Sequence, residues 1–181
     1  MILRIILKKL SEPKTKGDKM GRLRNWVAAA VFAWALCGFA FAGEHERFTD
    51  HGDGTVTDHV LGVMWGKRDN QGNIDWKGAE RWVKFTFPYS LPPDKREGWR
   101  LPTLKELQSL YVEDESYEGY ETDCGHWVKI VPEIELSCGW VWTSEKKAIS
   151  ARVFNFQRGY HYTDRMVHNR GYRALAVRSV K

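Results

Sequence analysis

Polar and β-branched positions alternate across residues 47–58, where Phe48 and Thr49 stand on one side of Asp53-Gly54 and Thr55, Val56 and Thr57 on the other. Glycine takes positive φ at no steric cost, so Asp-Gly between two such runs predicts a pair of short strands joined by a tight turn. The period then becomes helical. Asp75 is placed to cap a helix over residues 76 to about 85, with Trp76, Ala79, Trp82 and Val83 on one apolar face. Residues 88–98, with Pro92-Pro93, predict a loop. A second helix follows. Thr103 and Glu106 have the spacing of a capping box, in which each side chain satisfies an orphan amide of the first turn, and Leu104, Leu107, Leu110 and Tyr111 form its buried face. Residues 113–123 are acidic and lack apolar periodicity, which predicts a loop. Residues 140–143, 151–156 and 172–180 carry the aromatic and β-branched chemistry of strands. Runs of strands and helices without a βαβ alternation indicate an α+β domain.

Residues 1–42 differ from the remainder. Arg22 and Arg24 precede an uncharged apolar run of 17 residues, 26–42, that ends Ala40-Phe41-Ala42. This is the organisation of a secretory signal peptide, with cleavage after Ala42, and it implies an exported protein, periplasmic or secreted. An uncleaved anchor is the alternative, and membrane contact is then confined to this segment. Met20 is followed by a complete signal of its own and is a second candidate start. The division expected is therefore an N-terminal extension with signal at 1–42 and a domain at 43–181.

Charge changes meaning once this segment is set aside. The chain has 28 basic and 23 acidic residues, of which residues 1–42 hold eight and two. The remaining 20 basic and 21 acidic residues give a net charge near −1, so no nucleic-acid partner is expected. Of three cysteines, Cys124 and Cys138 lie outside the signal. In an oxidising compartment a disulfide is expected, closing a loop of about 15 residues with a contribution of roughly 3 kcal/mol. A reactive or metal-binding pair is the alternative, and no third or fourth ligand stands at useful sequence spacing.

Three segments then coincide in order. The first is Phe48-Thr49-Asp50 with Gly52-Asp53-Gly54-Thr55-Val56-Thr57-Asp58 and Met64-Trp65. The second is Trp99-Arg100-Leu101-Pro102-Thr103 with Glu106-Leu107. The third is Val141-Trp142-Thr143-Ser144 followed by Val153, Phe156, Gly159, Tyr172 and Val177-Arg178. Together they resemble the Lcl C-terminal domain, a domain of unknown function found on bacterial collagen-like adhesins and small exported proteins, over nearly all of residues 47–179. The resemblance implies a C-type-lectin-like α+β fold, with two helices packed on a small twisted antiparallel sheet, long loops, paired terminal strands and an irregular region that carries the binding surface.

Fold alone does not assign chemistry. The Glu-Pro-Asn, Gln-Pro-Asp and Trp-Asn-Asp triplets of calcium-dependent sugar-binding lectins are absent from the sequence, as are a G-x-S-x-G elbow, a Walker loop and a dinucleotide fingerprint. Gly171-Tyr172-Arg173 echoes the end of formylglycine-generating enzymes, but no cysteine follows Cys138. We therefore expect no catalytic residues, no cofactor and no metal. Asp50, Asp53 and Asp58 read as a polar turn, since Leu61 stands where an EF-hand needs its glutamate. Arg100 is expected to bond backbone carbonyls. The acidic residues of 113–123 are either a solvated loop or oxygen ligands for a hard cation. The richest polar stretch is 155–170. There Arg158, Tyr160, His161, Tyr162, Arg165, His168 and Arg170 combine flat amphipathic rings with bidentate cations, a mixture suited to an extracellular acidic or sulfated glycan or a protein ligand. A plain connection between two strands is the alternative there.

Overall fold

The computed structural model describes residues 46–180, so the signal segment and its cleavage site lie outside the described residues. The domain is α+β. Strands β1 (Phe48–Asp50), β2 (Thr55–Asp58), β3 (Val63–Gly66) and β10 (Val177–Ser179) form an antiparallel sheet in that order. The first and last strands of the domain thus share one sheet, with Val177 opposite Trp65 and Phe48 opposite Asp58. A second sheet has the order β8 (Tyr160–Arg165), β7 (Ser150–Asn155), β6 (Trp140–Lys147), β9 (Tyr172–Arg173), antiparallel except for the β6–β9 pair. A short pair, β4 (Tyr120–Glu121) and β5 (Trp127–Val128), folds beside it.

The hairpin reverses over four residues, His51 to Gly54, rather than over Asp53-Gly54 alone. The amide of His51 bonds the carbonyl of Thr55 at 3.0 Å, and both Gly52 and Gly54 take positive φ, 71° and 88°. Asp50 and Asp53 do close this turn on backbone amides. Asp58 does not belong to it. Its carboxylate is buried, paired with Arg47 at 2.8 Å, and accepts the amides of Val60 and Leu61.

The first helix, α1 (Trp76–Arg81), starts where Asp75 accepts the Gly78 amide at 2.6 Å. The regular α-helix is shorter than its apolar period suggests. It widens into a π turn at Trp82–Thr86 and tightens into a 3-10 turn at Phe87–Ser90, so the predicted loop at 88–98 is itself partly helical. Pro88 has no amide to donate, which prevents a continued α-ladder there. The second helix, α2 (Leu104–Leu110), begins at the expected capping box. Thr103 Oγ1 accepts the Glu106 amide at 3.2 Å and a Glu106 oxygen accepts the Thr103 amide at 2.7 Å.

Alternate residues of the second sheet enter two separate cores. Val141, Phe154 and Phe156 join Leu104, Leu107, Leu110, Trp65 and Val177 in one. Trp142, Val153 and Tyr172 join Trp76, Ala79, Val83 and Trp99 in the other. A sheet covered on both faces must be apolar at successive positions, which accounts for the unbroken Val-Trp and Val-Phe steps in β6 and β7. The predicted strand at 172–180 divides into β9 and β10, which pair in different sheets. Residues 174–176 cross between the sheets with Leu175 in the first core and Ala174 and Ala176 in the second.

Cys124 and Cys138 form the expected disulfide, with Cα atoms 5.3 Å apart. It ties the end of the acidic loop to a buried position. Among the described residues, no helix is long and apolar enough to cross a membrane.

Two outcomes follow from this packing. Leu107→Ala removes a fully buried side chain beneath α2 and lowers unfolding free energy by about 2–5 kcal/mol, while Lys105→Ala on the exposed face changes it by less than about 0.5 kcal/mol, both read by urea denaturation. Burial raises the Glu106 carboxyl pKa, but the Arg100 guanidinium and the Thr103 amide outweigh it and leave the group below its ordinary value. A depressed carboxylate contributes stability that is present above its unfolded pKa and is lost as pH falls through the folded one. Urea midpoints measured from about pH 5 down to about pH 3 will therefore fall more steeply for the wild type than for Glu106→Gln.

Candidate functional site

The polar segment at 155–170 is not simply a connection, because its centre is the edge strand β8. All six of its residues pair with β7 on one side only, from Asn155 opposite Tyr160 to Ser150 opposite Arg165. The strand's alternation divides the predicted residues. Tyr160 and Tyr162 share one face with Asp164, in register with Asn155, Val153 and Ala151. Their rings are 6.0 Å apart at 35°, with Tyr162 half-buried against the second core and Tyr160 exposed. His161 and Arg165 are exposed on the opposite face, in register with Phe154 and Ser150. Arg158 is exposed in the turn before the strand, where its amide bonds the Asn155 side chain at 3.2 Å. His168 and Arg170 are exposed just after the strand. Tyr160 and Arg165 are separated by five strand steps, about 17 Å, so the set forms a band around one edge rather than a single pocket.

A partly buried hydrogen-bond chain fixes that edge. The Tyr162 hydroxyl donates to the Tyr172 hydroxyl at 3.2 Å, and Tyr172 donates in turn to Asp164. The other Asp164 oxygen accepts the Arg165 amide at 2.8 Å and lies 2.9 Å from His168 Nδ1. Burial and the Asp164 carboxylate together push the Tyr172 hydroxyl well above its ordinary pKa. It therefore stays protonated and acts as a fixed donor through neutral pH. Burial raises the Asp164 carboxyl, but the Tyr172 and His168 bonds outweigh it and hold the group below its usual value. Tyr172 also packs on Trp142, with ring centroids 4.5 Å apart. The network is a clamp between β8 and β9.

The ion pairs near this edge are Arg152–Glu145 and His168–Asp164, and neither uses Arg158, Arg165 or Arg170. These three guanidiniums and the His161 ring are among the polar groups the edge turns to solvent.

The sequence model of the Lcl C-terminal domain matches residues 54–180, about seven-tenths of the chain. The chain belongs to the Lcl C-terminal domain family. No curated protein matches it.

Within this Lcl C-terminal domain a concave region lies beside the disulfide-bonded segments. A cleft of about 530 Å3 is lined by Asp69, Tyr117, Tyr120, Glu121, Asp123 and Glu135, among others. Asp69 lies buried at its base, where it accepts the Ser137 amide at 2.7 Å and the Gln71 amide at 2.7 Å. Burial pushes its carboxyl pKa up against those bonds and the neighbouring Arg173. Arg173 donates to Ser137 Oγ at 2.6 Å and to Asn73 at 3.0 Å. The arrangement joins the segment following β3 to residue 137 and to β9, a structural role that nothing in the residue spacing announced. Of the acidic loop, Asp114 spends its carboxylate on Ser116, and Glu121 and Asp123 rim the cleft.

Arg100 departs from its expected role. It does donate to the Leu101 carbonyl at 3.2 Å, but its principal partner is Glu106, gripped through both terminal nitrogens at 2.8 and 2.7 Å. The missing third ligand near the cysteines is also present in space, since His126 lies with Cys124 and Cys138. The signals for the Lcl domain's Tyr172–Asp164 clamp were available only as isolated residues, because the partners meet across a strand pair that must first be known.

Tyr172→Phe removes one hydrogen bond to a partly exposed carboxylate. It lowers stability by about 1–3 kcal/mol and raises the Asp164 pKa, as followed by carboxyl-carbon NMR titration.

Proposed function

We propose that this domain is an exported, non-catalytic binding and adhesion module that recognises an anionic extracellular ligand along the β8 edge. The observation that carries this is the exposure of Arg158, His161, Arg165 and Arg170 around a strand whose two tyrosines stand on a clamped base. Arginine offers carboxylate or sulfate groups two parallel bonds, and exposed tyrosine faces suit the apolar side of a sugar ring. An acidic or sulfated glycan fits this chemistry best, and an acidic protein segment is the related class. The clamp holds the strand and the Tyr162 hydroxyl in place, which lowers the ordering cost of that part of the surface.

Export is supported by the apolar run ending in Ala40-Phe41-Ala42 and by the disulfide, which persists in oxidising compartments. A C-type-lectin-like fold is the finer assignment we favour. It is supported by the two short helices, by the sharing of one sheet by β1 and β10, and by the long irregular stretches that precede β6.

A structural role in an envelope assembly is the second reading. Phe85 and Tyr89, at 63% and 76% exposure, project from the helical segment after α1. Exposed aromatics of this size favour a protein neighbour.

A glycan array probed with the exported protein tests the first proposal. Sulfated or uronic-acid glycans are expected to give the strongest signals, to weaken as salt rises, and to fall at least about tenfold with Arg165→Ala combined with Arg170→Ala. An empty array, or signals indifferent to both substitutions, refutes it.

A further inference from the structure

Three potential ligand atoms converge at the disulfide. The sulfurs of Cys124 and Cys138 and an imidazole nitrogen of His126 all lie within 4.8 Å of one another. We propose that these three residues form a thiol-gated site for a zinc-class divalent ion, closed while the disulfide is intact and competent once it is reduced. Two thiolates and one imidazole are a ligand set that zinc accepts in tetrahedral geometry, with water completing the fourth position.

The local backbone already holds the three groups together without the covalent bond. Gly125, at φ 78°, turns the chain back between Cys124 and His126. That turn is closed by the Gly125 amide on the Thr122 carbonyl at 2.8 Å and by the Thr122 amide on the His126 carbonyl at 2.9 Å. The Cys124 amide bonds the Ser137 carbonyl at 3.3 Å, which keeps the two cysteine-bearing segments adjacent through the backbone as well as through sulfur. The His126 ring packs edge-on against Trp140 at 4.5 Å, and Nδ1 lies 3.1 Å from the Gln157 side-chain amide. With the Gln157 nitrogen donating to Nδ1, ligation through Nε2 requires that amide to turn over, so that its oxygen accepts an Nδ1 proton and the Nε2 lone pair is freed. Thr122 Oγ1 donates to the His126 carbonyl at 2.8 Å and accepts the His126 amide at 3.3 Å, which holds the imidazole-bearing residue over the same turn as Cys124.

The chemistry balances simply. A dithiol reductant transfers two electrons and two protons to the disulfide, which yields two thiols and the oxidised reductant. Binding of the divalent ion then displaces both thiol protons to solvent while neutral His126 contributes a lone pair. In the oxidised protein both sulfurs are committed to each other and the site does not exist. This inference is independent of the β8 ligand.

The test uses the full chain, reduced, freed of reductant under anaerobic conditions, and titrated with Co2+ as a spectroscopic substitute for zinc. One equivalent of cobalt with thiolate-to-metal charge-transfer absorption is expected from the reduced protein and none from the oxidised protein. His126→Ala is expected to weaken binding by about tenfold or more, given that even outer-shell partners carry that effect. Failure of the reduced protein to bind, or a His126→Ala affinity equal to the wild type, overturns the proposal. Circular dichroism covers the case in which reduction loosens the fold. Recovery of the native spectrum on adding Co2+ supports the site, and a spectrum unchanged by Co2+ refutes it.

Discussion

The carboxylate of Glu106 is the constraint on which this domain depends. It accepts the Thr103 amide, the Thr103 hydroxyl and both terminal nitrogens of Arg100. Through the first two it starts α2, and through the third it holds the residue whose backbone bonds the last strand. The Arg100 amide and carbonyl pair with Val177 at 2.9 and 3.0 Å. One side chain thus connects helix initiation to the closure of the terminal sheet. A neighbouring acid, Glu145, accepts the Leu104 amide at 3.0 Å and links the same helix start to β6. An N-terminal turn has orphan donors that must be satisfied somewhere, and here they are satisfied by groups that also join separate elements.

The candidate binding edge follows from this closure. Anchoring α2 places Leu104, Leu107 and Leu110 against one face of β6 and β7, while Trp76, Ala79 and Val83 cover the other. With both faces occupied and β9 paired on one side, the outer edge of β8 is what remains of that sheet to meet solvent. The Tyr172–Asp164 bond then makes the edge rigid, since the donor is held protonated and the acceptor ionised by the same contact.

Features governed by short sequence spacing were readable in advance. The Thr103–Glu106 box, the Asp75 cap and the Cys124–Cys138 pair each rest on local geometry or on the absence of competing cysteines, and each is present as expected. Features decided by distant partners were not. The π and 3-10 turns after Arg81 reflect packing of Trp82 and Phe87 as much as local propensity. The Phe87 ring meets Trp99 edge to face at 4.8 Å and occupies the space a side chain at Gly66 would need. The run at 172–180 reads as one strand because both halves are apolar, yet its halves pair in different sheets. Of the seven residues singled out in 155–170, all lie on or beside β8, but Tyr160 and Tyr162 face away from His161 and Arg165, a division that becomes visible only once a strand is assigned. The convergence of His126 on the cysteines was hidden for the same reason, since Cys138 reaches it through the fold.

The most direct test of the role given to Glu106 is a double-mutant cycle on Arg100→Ala and Glu106→Ala, read as urea unfolding free energies. A carboxylate that couples helix start to sheet closure predicts an interaction energy of about 1–3 kcal/mol between the two positions. An interaction energy within about 0.3 kcal/mol of zero would show that the two residues stabilise the domain independently, and would contradict the account.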